Sequence, residues 1–116
     1  MKAIIIEDEE IIAKVLLNKI KKVAPDIDVV TILPSLKTAR KWFGENAEPD
    51  LLFMDIQLSD GVSFDIFNDF NLKCPVIFTT AYDEFAIRAF KVNGVDYLLK
   101  PVIDQDLAEA INKCRK

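Results

Sequence analysis

At 116 residues, 51% hydrophobic and 29% charged, the chain has enough apolar material for one domain with a real core and is too short for two. Its formal net charge of −4 argues against a piece that by itself embraces the polyanionic backbone of DNA or an anionic membrane surface. The absence of histidine removes Ser-His and Cys-His nucleophilic pairs, HExxH zinc sites and imidazole bases together, and it means that any phosphoryl group the chain handles must be received on another side chain.

The first apolar run, 3–6, reads as a strand and is followed at once by Glu7, Asp8, Glu9 and Glu10, which is unlike a signal peptide. No run approaches the ~20 residues of a membrane helix, so a cytoplasmic protein is expected. Ile12, Val15, Leu16, Ile20 and Val23 then recur at helical spacing and stop before Pro25, predicting a first helix with those residues as its apolar stripe. A second strand at 29–33 leads to Ser35, which suits the cap of a second helix through Trp42. A third strand, 51–54, ends on Asp55. Gly61 suits a turn near a bound anion, and 63–70 reads as a short third helix. The fourth strand, 76–79, runs into Thr80. A fourth helix spans 83–94, with Glu84 in its first turn and Gly94 just past its end. The fifth strand, 97–99, precedes Lys100-Pro101, and a fifth helix runs from about Asp104 to Lys116 with Leu107, Ala110, Ile111 and Cys114 as its buried stripe. Cys74 and Cys114 form no CxxC pair and read as small apolar side chains of a reduced protein.

All five strands lack period-two alternation, as expected where both faces of a parallel sheet are covered. Repeated βα units with right-handed crossovers predict an α/β fold, a doubly wound five-stranded parallel sheet occupying residues 1–116 as one domain. The order 2-1-3-4-5 puts strands one, three and four in the middle. Those are the strands tipped by Glu7-Asp8, Asp55 and Thr80, whereas strand two ends in plain Leu33-Pro34 and belongs at the edge.

Strand tips on one rim gather carboxylates, a hydroxyl and a lysine. Mg²⁺ takes oxygen ligands, usually one or two carboxylates plus waters, which fits Asp8 and Asp55 as direct ligands and Glu7 acting through a coordinated water. Glu9 and Glu10 read instead as a solvated helix start favoured by the helix dipole. Asp55 has a second potential as nucleophile toward a phosphoryl group, with Lys100 pairing to the acquired phosphate and Thr80 donating a hydroxyl hydrogen bond.

The acidic pair at 7–8, LLFMDIQL at 51–58, PVIFTTAY at 75–82 and VDYLLKP at 95–101, in this order, resemble a two-component response regulator receiver domain over essentially the whole chain, most closely receivers of LytTR-type regulators. The resemblance implies a flavodoxin-like (βα)5 receiver fold. It implies Asp55 as phosphoacceptor, Asp8 and the backbone carbonyl of Gln57 as metal ligands, Thr80 as switch hydroxyl, Tyr97 as switch aromatic and Lys100 as phosphate-binding lysine. A cis Lys100-Pro101 bond is implied too. Two departures stand out: Glu7 replaces a frequent aspartate, and Leu58-Ser59-Asp60-Gly61 lacks the proline common in that loop.

The function expected from this resemblance is acceptance of a phosphoryl group from a histidine kinase or phosphotransfer protein docking near the first helix. A switched surface of helix four, strand five and helix five would then control an output, without turnover of external substrates. Ile87, Phe90 and Val92 either line a homodimer surface there or pack on the sheet. Transcription regulation through DNA would reside in an output domain outside this chain, with a stand-alone or degenerate receiver acting in protein binding as the alternative. Aspartate-nucleophile phosphatases and Toprim-like nucleases fit less well, because both expect another acid where this chain has Gln57.

Overall fold

Five parallel strands form the centre of the computed structural model, which describes residues 1–81 and 94–115. They are β1 (Lys2–Ile6), β2 (Asp28–Leu33), β3 (Leu51–Asp55), β6 (Val76–Thr80) and β7 (Gly94–Leu99), and their order is β2-β1-β3-β6-β7. Counting main strands only, this is the expected order 2-1-3-4-5. β4 (Gln57–Leu58) and β5 (Gly61–Val62) form a separate antiparallel hairpin that the strand periodicity did not announce.

The continuous apolar runs have a direct cause. Alternate side chains of each strand point to opposite faces of the sheet, and both faces are covered. Ile4, Ile6, Leu52, Met54 and Phe78 pack on one side with Leu36, Phe43 and Ile66 from α2 (Leu36–Glu45) and α3 (Ile66–Asp69). Ala3, Ile5, Leu51, Phe53 and Ile77 pack on the other with Leu16 and Ile20 of α1 (Glu10–Val23) and Leu107, Ala110 and Ile111 of the C-terminal helix, α4 (Asp104–Cys114). Every residue of β3 and β6 is buried, as befits central strands, whereas β2 at the edge is exposed or half-buried up to Ile32 and buried only at Leu33.

The helix boundaries follow local chemistry. α1 stops at Val23, two residues before Pro25, because the residue preceding a proline is driven out of the helical region. Ser35 caps α2: its hydroxyl accepts the Thr38 amide, while the Thr38 hydroxyl accepts the Ser35 amide.

Several expectations need correction. Val15 is 47% exposed, so it is not part of the α1 core stripe; Ala13 takes that place, because the buried arc of α1 is narrower than the run of apolar residues. The third helix is shorter than predicted, one 3₁₀ turn (Ser63–Asp65) followed by α3. Val62 before it offers no capping oxygen. Gly61 has φ +144°, and a Cβ there would lie 2.9 Å from Leu36 Cδ1, so its missing side chain serves a close approach to α2. The fourth helix at 83–94, with Glu84, and Ile87, Phe90 and Val92 fall outside the described residues apart from Gly94, which opens β7.

Candidate functional site

Strand register brings the polar tips together. Ile6 pairs with Met54, so the next residues along β1 and β3, Glu7 and Asp55, emerge side by side; Asp55 in turn pairs with Thr79. Thr80 pairs with Leu99, and the Lys100 amide donates to the Thr80 carbonyl at 2.8 Å, which brings Lys100 to the same rim. The Lys100-Pro101 bond is cis, as the resemblance implied.

One carboxylate oxygen from each of Glu7, Asp8 and Asp55 lies within 4.8 Å of the others. Glu7 and Asp55 are almost fully buried and Asp8 is half-buried. The Lys100 ammonium reaches between two of the three, 2.6 Å from Glu7 Oε1 and 3.1 Å from Asp55 Oδ2. The second Glu7 oxygen accepts the Glu9 amide at 3.2 Å. The sequence led to the expectation of Lys100 at an incoming phosphate but not of this ion pair with Glu7, whose partners are 93 positions apart.

The electrostatics are unbalanced. Among the described residues, three carboxylates meet in the cluster and one ammonium, that of Lys100, pairs with it, an excess of two negative charges in partly desolvated surroundings. Burial, then the hydrogen bond and charge of Glu7, raise the Asp8 carboxyl above the usual aspartate range. Burial opposes the Lys100 ammonium, yet its contacts with Glu7 and Asp55 outweigh that and raise its pKa. A hard divalent cation fits this donor set: the ligands are carboxylate oxygens, and the excess charge equals that of the ion. Carboxylate oxygens that lie within 4.8 Å of one another are close enough to gather around one such ion.

Thr80 is buried and lines the same cavity as Glu7, Asp8, Asp55 and Lys100. The cavity, about 620 Å³, is also lined by Ile12, Val15 and Lys19 of α1 and by Pro101 and Val102. Gln57 is exposed, starts β4, and directs its amide at Asp55 Oδ1 over a long 3.4 Å. Tyr97 pairs with Phe78 on β6 and packs, half-buried, against the core on the α2 side of the sheet.

Residues 3–112 match the family model of the response regulator receiver domain. The chain belongs to the response regulator receiver domain family. This receiver is 31% identical over 119 aligned positions to the sensory transduction protein LytT of Bacillus anthracis, covering 100% of the chain and 48% of that protein. It is 34% identical to LytT of Enterococcus faecalis, over 97% of the chain and 48% of that protein. The receiver thus spans about half the length of these curated relatives. Among solved structures it resembles the response regulatory domain of protein mrkE from Klebsiella pneumoniae, with a TM-score of 0.85 at 30% identity, covering 99% of this chain and 95% of that one. In the receiver, among the described residues, no helix is long and apolar enough to cross a membrane.

Proposed function

We propose that this receiver accepts a phosphoryl group on Asp55 from a histidine kinase or phosphotransfer protein, in the cytoplasm, with Mg²⁺ held by Asp8, Asp55 and the Gln57 backbone carbonyl and by Glu7 through water. The observation that carries the reading is the meeting of Glu7, Asp8 and Asp55 within 4.8 Å, with Lys100 hydrogen-bonded to Asp55. A bound divalent cation supplies the positive charge that lets an anionic nucleophile approach an anionic phosphoryl group.

The rest falls to the chain's own side chains. An Asp55 oxygen forms the new O–P bond while the P–N bond to the donor's histidine breaks, its electron pair returning to the imidazole. Lys100 exchanges part of its contact with the Asp55 carboxylate for the acquired phosphate, and Thr80 donates its hydroxyl hydrogen bond. The phosphoryl group ends on the chain itself, so no external substrate is turned over.

Thr80 moving toward the phosphate leaves space that Tyr97 fills from its half-buried position. This changes the surface formed by β7 and α4, together with the fourth helix expected from the sequence at 83–94. Phosphate biases that equilibrium only through its differential interaction with the two states, and a near-complete switch needs about 5.5 kcal/mol. The donor docks beside α1, where Ile11 is 79% exposed and Val15 follows one turn later on the same face, next to the mouth of the cavity. The output, by similarity to LytT-type sensory transduction proteins, is control of transcription through a DNA-binding domain outside residues 1–116, with dimerisation through the switched face as its link.

Incubation with Mg²⁺ and acetyl phosphate followed by intact mass tests the core of this reading. One phosphoryl group is expected on the wild type and none with EDTA or in Asp55→Ala. Labelling that persists unchanged in Asp55→Ala refutes the assignment.

A further inference from the structure

The hairpin that follows Asp55 is anchored to a distant part of the chain. Each strand of that hairpin has only two residues, far below what holds a hairpin together alone. Gln57 pairs with Val62, and Leu58 with Gly61, so the turn consists of Ser59 and Asp60. No proline stiffens this turn. Instead Asp60 reaches across to the first turn of α2: its Oδ1 accepts the Leu36 amide at 2.9 Å and its Oδ2 accepts the Lys37 amide at 3.0 Å. With Ser35 accepting the Thr38 amide at 3.1 Å, the first three amides of α2 all have side-chain acceptors. The contact is apolar as well as charged, because Gly61 lies against Leu36, and Leu58 and Leu36 share one core.

The near end of the same segment is tied to the phosphoacceptor. The Ile56 amide donates to the Thr79 carbonyl at 3.1 Å, the Ser63 amide closes on the Ile56 carbonyl at 2.7 Å, and the Gln57 amide faces Asp55. Residues 55–63 are therefore a closed loop with one end in the acidic site and its tip clasped by the first turn of α2.

We infer that Asp60 is a positioning residue: its clasp on the first turn of α2 holds Gln57 in place at the metal site, and magnesium binding and the order of that turn are coupled through it. The inference rests on the proposed role of the Gln57 carbonyl. Coupling of this kind is reciprocal, so the cation orders the first turn of α2 to the extent that the clasp strengthens cation binding.

The test is an amide NMR titration of the chain with MgCl₂ in the wild type, Asp60→Ala, Asp60→Asn and Ser35→Ala. In the wild type the Leu36 and Lys37 amides should respond to Mg²⁺ with the same midpoint as residues at the site. Asp60→Ala should weaken Mg²⁺ binding at least about fivefold and silence the α2 response. Asp60→Asn, which keeps one acceptor oxygen, should recover part of the affinity, and it carries the test should the alanine variant not fold. Ser35→Ala removes a cap from the same turn but leaves the Asp60 contacts in place, and should weaken Mg²⁺ binding less than Asp60→Ala does. Wild-type affinity in both Asp60 variants, or equal weakening by Ser35→Ala, overturns the inference. Asp8→Asn binding Mg²⁺ as well as the wild type would instead overturn the reading of the acidic site on which it rests.

Discussion

Lys100 is shared between Glu7 and Asp55, and this sharing defines its task. The ammonium offsets one of three charges and leaves the remaining two for a cation, so it tunes the site without filling it. Glu7 and Asp55 pair with a lysine that is itself partly exposed, on the rim rather than in the core. Lys100→Ala should accordingly leave the fold intact, with a retained circular dichroism spectrum, while slowing acceptance from acetyl phosphate at least about tenfold, the scale of losing one charge-assisted contact to a phosphoryl oxygen. Loss of the folded spectrum would instead assign Lys100 a structural role. At this scale the sequence was informative where chemistry is local to a strand tip: Asp8, Asp55, Thr80 and Lys100 each abut an apolar run and each lines the cavity. It was silent on Asp60, which looks like an ordinary turn aspartate. Its partners, the Leu36 and Lys37 amides, are backbone groups 24 and 23 positions away, and backbone amides carry no sequence signal.

At the scale of elements, the C-terminal helix is fixed to the sheet by an apolar stripe and to its neighbours by ion pairs. Leu107 is fully buried among Ile5, Phe53 and Ile77. Leu107→Ala should cost about 2–5 kcal/mol by removing buried methyl groups and leaving a cavity, read as a lower urea midpoint at unchanged slope. Asp104 in the first turn of α4 meets Lys19 and Lys22 of α1, and Arg115 at its end grips Asp26 with two hydrogen bonds of 2.7 and 2.8 Å. The Arg115 hydrogen bonds hold the Asp26 carboxyl below the usual aspartate range. A depressed carboxyl pKa contributes stability above its unfolded value of about 3.9, and that contribution is lost as pH falls through the folded value. The wild type should therefore be more stable than Arg115→Gln at neutral pH by a small, salt-screened margin that disappears in acid. A margin that grows as pH falls would contradict the pairing. The first, second and C-terminal helices and the main strands were legible because the sheet imposes unbroken apolar runs and the helices a 3.6-residue stripe. The β4–β5 hairpin was not, since strands of two residues are too short to show a period, and Val15 misled because apolar character does not reveal which side of a helix the core occupies.

For the molecule as a whole, the sheet order agrees with one contrast read from the sequence: β1, β3, β6 and β7 run into polar residues, whereas β2 ends in Leu33-Pro34 and lies at an edge. The same order leaves α1 flanking the acidic cavity with an exposed apolar ridge. Ile11→Glu should slow phosphoryl transfer from a cognate kinase by about tenfold or more, equivalent to about 1.4 kcal/mol, without altering labelling by acetyl phosphate. Equal loss with both donors would place Ile11 in the chemistry rather than in docking.

The most direct measurement is borohydride reduction of the chain after incubation with acetyl phosphate and Mg²⁺, followed by peptide sequencing. Reduction converts an aspartyl phosphate to homoserine in place. Homoserine is expected at position 55 alone, and only when Mg²⁺ is present. The same product at position 8, or phosphate lodged on Thr80 with position 55 unmodified, would contradict this expectation.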